Sequence, residues 1–233
     1  MKKIFILFAL LLVFSCLFSG CKKKMDIPEI TSSEMQLRGP SPGDTIAIFD
    51  TNLGVFKAVL YPEFAPRAVE NFTTHARDKY YDGVTFHRVI QDFVVQSGDP
   101  THTGSGGDSI WMIPFENEVS EELHHYRGAL GMANAGPDQN KSQFYVVAGG
   151  RITEDAVSAM KNSGWTQSVV DAYSKEGGQP GLDYHYTVFG QVYDGLDIID
   201  AIAAVKVNSK DNRPLEDVLV NSITIDTYKN PIQ

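Results

Sequence analysis

Apolar and polar positions alternate over many short stretches of this chain, and helical spacing replaces that alternation at only a few places. The segment "TIAIFDTNLGVFKAVLY" (45–61) alternates on both sides of Asn52-Leu53-Gly54, which predicts two strands joined by a tight hairpin. Further short strands are predicted over 84–90, 93–97, 128–133, 142–148, 187–193 and 217–226. In "APRAVENFTTHARD" (65–78), Pro66 suits a first helical turn, and Ala65, Val69, Phe72 and Ala76 recur at helical spacing. A second short helix is predicted over 194–205 in "DGLDIIDAIAAV". Many short strands with two core helices point to a mainly β domain, a closed antiparallel barrel with a helix at each open end. This domain is expected over 44–228.

Residues 150–181 break the rhythm. Glycines stand at both ends, and two helix-like pieces flank Gly164. Ala156, Ala159 and Met160 are expected on one apolar face, and Val169, Val170 and Tyr173 on another. This reads as a helical insertion of about 151–181 in a strand-to-strand connection. Upstream of the domain, residues 21–43 carry Pro28, Pro40, Pro42, Gly39 and Gly43 and read as a tether.

The first twenty residues differ again. Lys2 and Lys3 precede an apolar run of about fifteen residues. A membrane span needs roughly 20, so the run suits an export signal better. It ends in "LFSGC", where Ser19-Gly20 before Cys21 resembles the lipobox of bacterial lipoproteins, with Phe18 where leucine is usual. That resemblance implies a signal peptide over 1–20, cleavage before Cys21 and lipid on Cys21. The protein would then be exported and lipid-anchored to a bacterial cell envelope, facing the periplasm or on the outer membrane. A plain signal peptide and a short membrane anchor are the alternatives.

Composition removes several classes of function. The chain is 42% hydrophobic and 21% charged, with a formal net charge of −9. No basic stripe follows Lys24, so nucleic acid is not expected as a partner. The two cysteines, Cys16 and Cys21, precede the domain, which leaves it without a disulfide, thiol nucleophile or cysteine metal site. His102, His124 and His125 lack metal-ligand spacing. Ser142 has no base at a suggestive spacing. "GSGG" (104–107) lacks the Lys-Ser/Thr ending of a phosphate loop and reads as a flexible turn. No metal or cofactor is expected.

Arg88 stands out against this background. It lies inside "TFHRVIQDFVVQSGDP" (85–100), between Phe86, Val89 and Ile90. A permanently charged group in a half-buried strand is expected to be paired or to have a function. An ion pair with Asp92, Asp99 or Glu116 is the structural alternative. Strand alternation would put Phe86 and Arg88 on one face and His87, packed and hydrogen-bonded, on the other.

Three blocks in order, "FHRVIQDFVVQSGD" (86–99), "GALGMANAGPDQNKSQFYV" (128–146) and "LDYHYTVFGQV" (182–192), resemble the signature blocks of the cyclophilins. That family consists of peptidyl-prolyl cis-trans isomerases, and the resemblance spans roughly 44–227. It implies an eight-stranded antiparallel barrel capped by two helices, here with an extra helical insertion, and a groove on the outer barrel wall. It implies Arg88, Phe93 and Gln96 as catalytic residues. It also implies Val94, Ala133, Asn134, Gln143, Tyr145, Leu182 and Tyr186 as substrate-binding residues, with Asn134 holding the peptide through its main chain. Proline-containing polypeptides are the implied clients, and folding of exported proteins the implied task. A proline-segment-binding chaperone or scaffold with little turnover is the alternative. Gly181 stands where some relatives carry a tryptophan that helps bind cyclosporin, so weak cyclosporin binding is expected. Tyr145 and Tyr186 stand where phenylalanine and histidine are frequent. The Tyr145 hydroxyl needs a partner, and the insertion enters and leaves beside the implied pocket.

Overall fold

The computed structural model describes residues 32–229. The expected signal peptide, the lipobox-like stretch and Cys21 lie outside the described residues. The elements are α1 (Ser32–Leu37), β1 (Thr45–Thr51), β2 (Gly54–Leu60), α2 (Pro66–Arg77), β3 (Arg88–Val89), β4 (Val94–Ser97), β5 (Ala129–Asn134) and β6 (Asn140–Val147). After these come α3 (Glu154–Asn162), α4 (Gln167–Glu176), a short 3-10 turn (Pro180–Leu182), β7 (Val188–Asp194), α5 (Leu196–Ala203) and β8 (Val220–Thr227).

The eight strands form one antiparallel sheet in the order β3-β4-β6-β5-β7-β2-β1-β8. The sheet curls into a half-barrel, and the expected closed barrel is corrected in this respect. Edge strands β3 and β8 do not pair with each other. The segments leading into them meet instead, through a single bridge between Thr85 and Leu219 and through bonds such as Phe86 N–H to Val218 O (2.8 Å). Those bonds also explain why the expected strand over 84–90 shrinks to two residues: Val89 N–H is taken by Asn212 O rather than by a sheet neighbour.

The concave face encloses an aromatic core. Phe49 stacks on Phe56 with ring centroids 4.3 Å apart, and Phe72 of α2 meets Phe144 edge-on at 5.5 Å and Phe189 at 5.2 Å. Phe72 is the helical-period residue that seats α2, with Ala65, Ala68 and Ala76 small enough to let the helix approach. Ile199 and Ile202 of α5 enter the same core.

Alternation fails where β3 begins. Phe86 and Val89 both enter this inner core, and Arg88 does not. The chain from 85 to 87 is outside the ladder, so its side chains do not follow the strand period. His87 is buried with its two ring nitrogens lacking a well-formed hydrogen bond, contrary to the bonded histidine expected. Burial lowers its pKa.

The insertion is two helices, α3 and α4, as its spacing suggests. Met160, Val169, Val170 and Tyr173 are buried around Tyr126. Val157 joins them, while Ala159, expected on the apolar face, is exposed. The described part of the 21–43 segment is docked, not free. Gln36 is fully buried, accepts from His124 N–H (2.9 Å) and donates to His124 O (2.7 Å) and Gln191 Oε1 (3.0 Å).

Candidate functional site

Strand register assembles the site. Arg88 of β3 lies opposite Gln96 of β4, Gln96 opposite Tyr145 of β6, and Tyr145 opposite Gly131 of β5. Directly opposed residues share a face, so these four make one row across the convex side of the sheet. The row needs a glycine at its end. A Cβ on Gly131 would collide with the ring and hydroxyl of Tyr145.

Around Tyr145 lies a second apolar cluster, separate from the inner core. Val94, Tyr145 and Val147 are buried in it, and Phe93, Ala133, Leu182 and Tyr186 pack against it. Tyr186 meets Tyr145 edge-on, with centroids 6.2 Å apart. The residues implied as pocket walls therefore share one surface.

Arg88 stands at the border of this cluster. Its guanidinium carbon is 5.8 Å from the centre of the Phe93 ring. Its Nη1 donates to Gln96 Oε1 (3.2 Å), Gln96 Nε2 donates to Gln143 Oε1 (2.9 Å), and Gln143 Nε2 donates to the carbonyls of Gly104 (3.2 Å) and Gly106 (2.8 Å). Every donor and acceptor along this chain has one orientation that satisfies its neighbours, so the carbonyl end of Gln96 must face Arg88. Arg88 forms no ion pair with Asp92, Asp99 or Glu116. The guanidinium is half-buried and keeps donor capacity beyond its bond to Gln96.

Two hollows lie near these residues, and of the row only Gln96 lines either of them. One of about 350 Å³ is lined by Gln96, Gly104, Gly106, Ala133, Asn134 and Gln143. The other, about 610 Å³, is lined by Asn134, Ala135, Leu182, His185 and Tyr186 among others. Asn134 borders both, and its side chain is turned to Asn117 Oδ1 (3.1 Å) and Asn140 Oδ1 (3.3 Å).

The 104–107 segment is built, not a flexible turn. The Asp99 carboxylate accepts from Thr101 N–H (2.8 Å), Thr101 Oγ1 (2.7 Å), Gly104 N–H (2.6 Å) and Gly106 N–H (3.0 Å). Burial alone would raise its pKa, but the bonds from Thr101, Gly106 and Gly104 lower it to about 2. The fold favours the ionised form. The stability Asp99 adds is therefore complete above its ordinary value of 3.8 and is lost as pH falls towards about 2. Asp99→Asn is expected to lower the urea midpoint at pH 7 and to flatten its decline between pH 4 and 2. Equal acid sensitivity in variant and wild type would contradict this.

Some contributors carry no strong sequence signal. His124 and His125 are buried and share the carboxylate of Asp183, which directly follows Leu182. The hydroxyl of Tyr145 finds its partner in the buried His125, at Nε2 (2.8 Å). Two adjacent histidines before a strand hint at such a cluster only once Asp183 is known to be near. Among the described residues no group of three His, Cys, Asp or Glu side chains is placed to hold a metal ion.

Comparison with known proteins adds independent observations. The family description "Cyclophilin type peptidyl-prolyl cis-trans isomerase/CLD" matches residues 46–225. A protein of Staphylococcus saprophyticus named "Putative peptidyl-prolyl cis-trans isomerase" is 50% identical over 178 residues, covering 76% of this chain and 90% of that protein. A protein of Staphylococcus aureus (strain USA300) with the same name is 47% identical over 184 residues, covering 79% and 93%. Among solved structures, a Cryptosporidium parvum cyclophilin type peptidyl-prolyl cis-trans isomerase superposes with a TM-score of 0.65 at 28% identity, covering 81% of this chain and 99% of that one. A second crystal structure of that protein, in the presence of the dipeptide Ala-Pro, gives a TM-score of 0.64 at 28% identity, covering 78% and 99%.

Proposed function

The chain belongs to the family of cyclophilin-type peptidyl-prolyl cis-trans isomerases, and from that premise we propose that Arg88 drives the isomerisation by stabilising the twisted amide. The observation that carries this reading is Arg88 itself: half-buried, held by Gln96, and bordering the cluster where Phe93, Tyr145 and Leu182 meet.

Amide resonance gives the bond before proline partial double-bond character, with a barrier of about 18–20 kcal/mol. No bond breaks, so neither nucleophile nor cofactor is required. As the amide twists, the prolyl nitrogen becomes pyramidal and regains a lone pair. A guanidinium N–H can donate to that lone pair and scarcely to the planar nitrogen. The interaction is thus stronger in the transition state than in either planar form, which is the condition for acceleration. Phe93, Val94, Tyr145, Leu182 and Tyr186 hold the proline ring by burial. Gln96 and Gln143 fix the guanidinium, and Ala133 and Asn134 border the path of the preceding residues. The Ala-Pro dipeptide present with the Cryptosporidium neighbour supports proline-containing peptides as ligands. The decisive experiment is a protease-coupled isomerisation assay of wild type beside Arg88→Ala, and its expected result opens the Discussion.

The working location in this proposal is a bacterial cell envelope, with lipid on Cys21 and exported proteins as clients. The apolar run, Ser19-Gly20 and Cys21 support it. Expression in a bacterial host should yield a detergent-extracted protein whose mass corresponds to a diacyl- or triacyl-modified chain starting at Cys21. Cys21→Ala should leave the unprocessed chain. An unmodified mature terminus in wild type would overturn this part of the proposal and leave the isomerase reading intact.

A further inference from the structure

Asp183 is buried and accepts four hydrogen bonds. They come from Nδ1 of His124 (2.7 Å), the main-chain N–H of His125 (2.7 Å), Nδ1 of His125 (2.6 Å) and the hydroxyl of Tyr173 on α4 (2.8 Å). Burial works to raise the pKa of this carboxyl, but the bonds from His124 and His125 outweigh it and hold it below the usual range. An ionised carboxylate only accepts, so each partner must donate. Both histidines therefore carry a proton on Nδ1. In the neutral ring with that tautomer, Nε2 of His125 is an acceptor, and it lies 2.8 Å from the Tyr145 oxygen. Burial pushes the Tyr145 hydroxyl well above its ordinary pKa, so it remains a donor. With His125 as the Nδ1–H tautomer, donation runs one way, from the Tyr145 hydroxyl to His125 Nε2 and from His125 Nδ1 to Asp183.

This bond sets where the Tyr145 ring lies. The His125 and Tyr145 rings are within 20° of parallel, with centroids 6.0 Å apart, and the absence of a side chain at Gly131 leaves the space the phenol occupies. We propose that His125 is a positioning residue for the isomerisation: by accepting the Tyr145 hydroxyl it fixes the angle of the aromatic wall against which the substrate proline packs. The inference rests on the reading of Tyr145 as a pocket wall. The insertion joins the same device, because Tyr173 holds the far side of the carboxylate next to Leu182, another wall of the cluster. A phenylalanine in place of Tyr145 would have no such anchor, and its angle would be set by packing alone.

The test uses the full chain purified in detergent and separates this role from support of the fold. In His125→Asn, the shorter amide can still donate to Asp183 but cannot reach Tyr145. The proline wall contacts substrate in the ground and transition states alike, so its loss acts on binding. His125→Asn is expected to raise KM for an Ala-Pro peptide about fivefold with kcat within about twofold. In a Tyr145→Phe background the same substitution should change nothing further, since there is no hydroxyl to position. His125→Gln, whose carbonyl reaches towards the place of Nε2, should recover most of the loss. An unchanged KM in His125→Asn would overturn the proposal, as would an equal loss in the Tyr145→Phe background. Should His125→Asn fail to unfold cooperatively, nitrogen NMR of wild type decides. Saturation with Ala-Pro peptide should shift the Nε2 resonance of His125, and an unmoved resonance overturns the proposal. Failure of the isomerase mechanism would look different: wild type would be no faster than Arg88→Ala.

Discussion

Arg88→Ala is expected to lower kcat/KM for an Ala-Pro peptide about a hundredfold, with KM changed little. Removing a single donor aimed at charge that develops in a transition state costs on the order of 10²–10³ in rate. A hundredfold corresponds to about 2.7 kcal/mol. The loss is expected in kcat because the proposed bond to the prolyl nitrogen forms only as the amide twists, while the proposed walls at Phe93, Tyr145 and Leu182, which pack in one cluster, would bind the proline throughout. Arg88→Lys recovers little. An ammonium keeps the charge but lacks the planar fork that engages Gln96 with one nitrogen and leaves others for substrate. Both variants are expected to fold, since Arg88 is half-exposed and among the described residues its only ring contact is with Phe93. If Arg88→Ala retains wild-type turnover, the mechanism fails, and a groove that binds proline segments without this guanidinium is the reading that survives.

The sequence pointed to this candidate site through the three blocks that resemble the cyclophilins, and the strands then bring the named residues together. Arg88, Gln96 and Tyr145 belong to alternating segments whose register places them in one cross-strand row. The period of two sorts side chains by face but did not by itself single out these residues. It failed at Phe86, which lies before the ladder begins and turns into the inner core with Val89. Sheet closure was illegible for a related reason: it depends on how segment 83–86 meets segment 212–219 and the first residue of β8, and such connecting segments carry no period.

What the sequence concealed is polar and non-local. Asp99 organises residues 101–106 through three main-chain N–H groups, which most sequences could offer, and the hydroxyls of Thr101 and Thr103. Gln36 plugs the domain from a segment that reads as a tether, and nothing in "SSEMQLRGP" announces that a buried amide will bind His124 from 88 residues away. Asp183 and His125 are 58 residues apart and meet only because the connection containing the insertion returns to β7 beside β5. Hydrophobic patterning orders the elements, whereas the identity of each buried polar partner depends on the finished topology.

Asp183→Ala carries the largest expected loss of stability, about 3 kcal/mol or more at pH 7. The substitution removes a single carboxylate but strands four donors, three of them side-chain groups of His124, His125 and Tyr173 that are shut off from water. Breaking a buried charged network by deleting one partner costs about 3–5 kcal/mol, because the groups left behind keep their desolvation penalty. Asp183→Asn relieves little. Its amide nitrogen can only donate, so it faces donors on the side now held by His124 and Tyr173. Tyr173→Phe removes one of the four bonds and leaves the carboxylate with three donors, so it costs about 1 kcal/mol. The measure is urea unfolding with the slope compared across variants, so that a shift of midpoint at constant slope reports stability alone. The loss has a local consequence as well. Without its bond to Asp183, Tyr173 holds α4 by ring packing on Tyr126, Trp165 and His124, so limited proteolysis should cut within 151–181 sooner than in wild type. Should Asp183→Ala stay within 1 kcal/mol of wild type and resist cleavage equally, the carboxylate would be a bystander, and the wiring of the insertion to the proline pocket would have to run through apolar contacts instead.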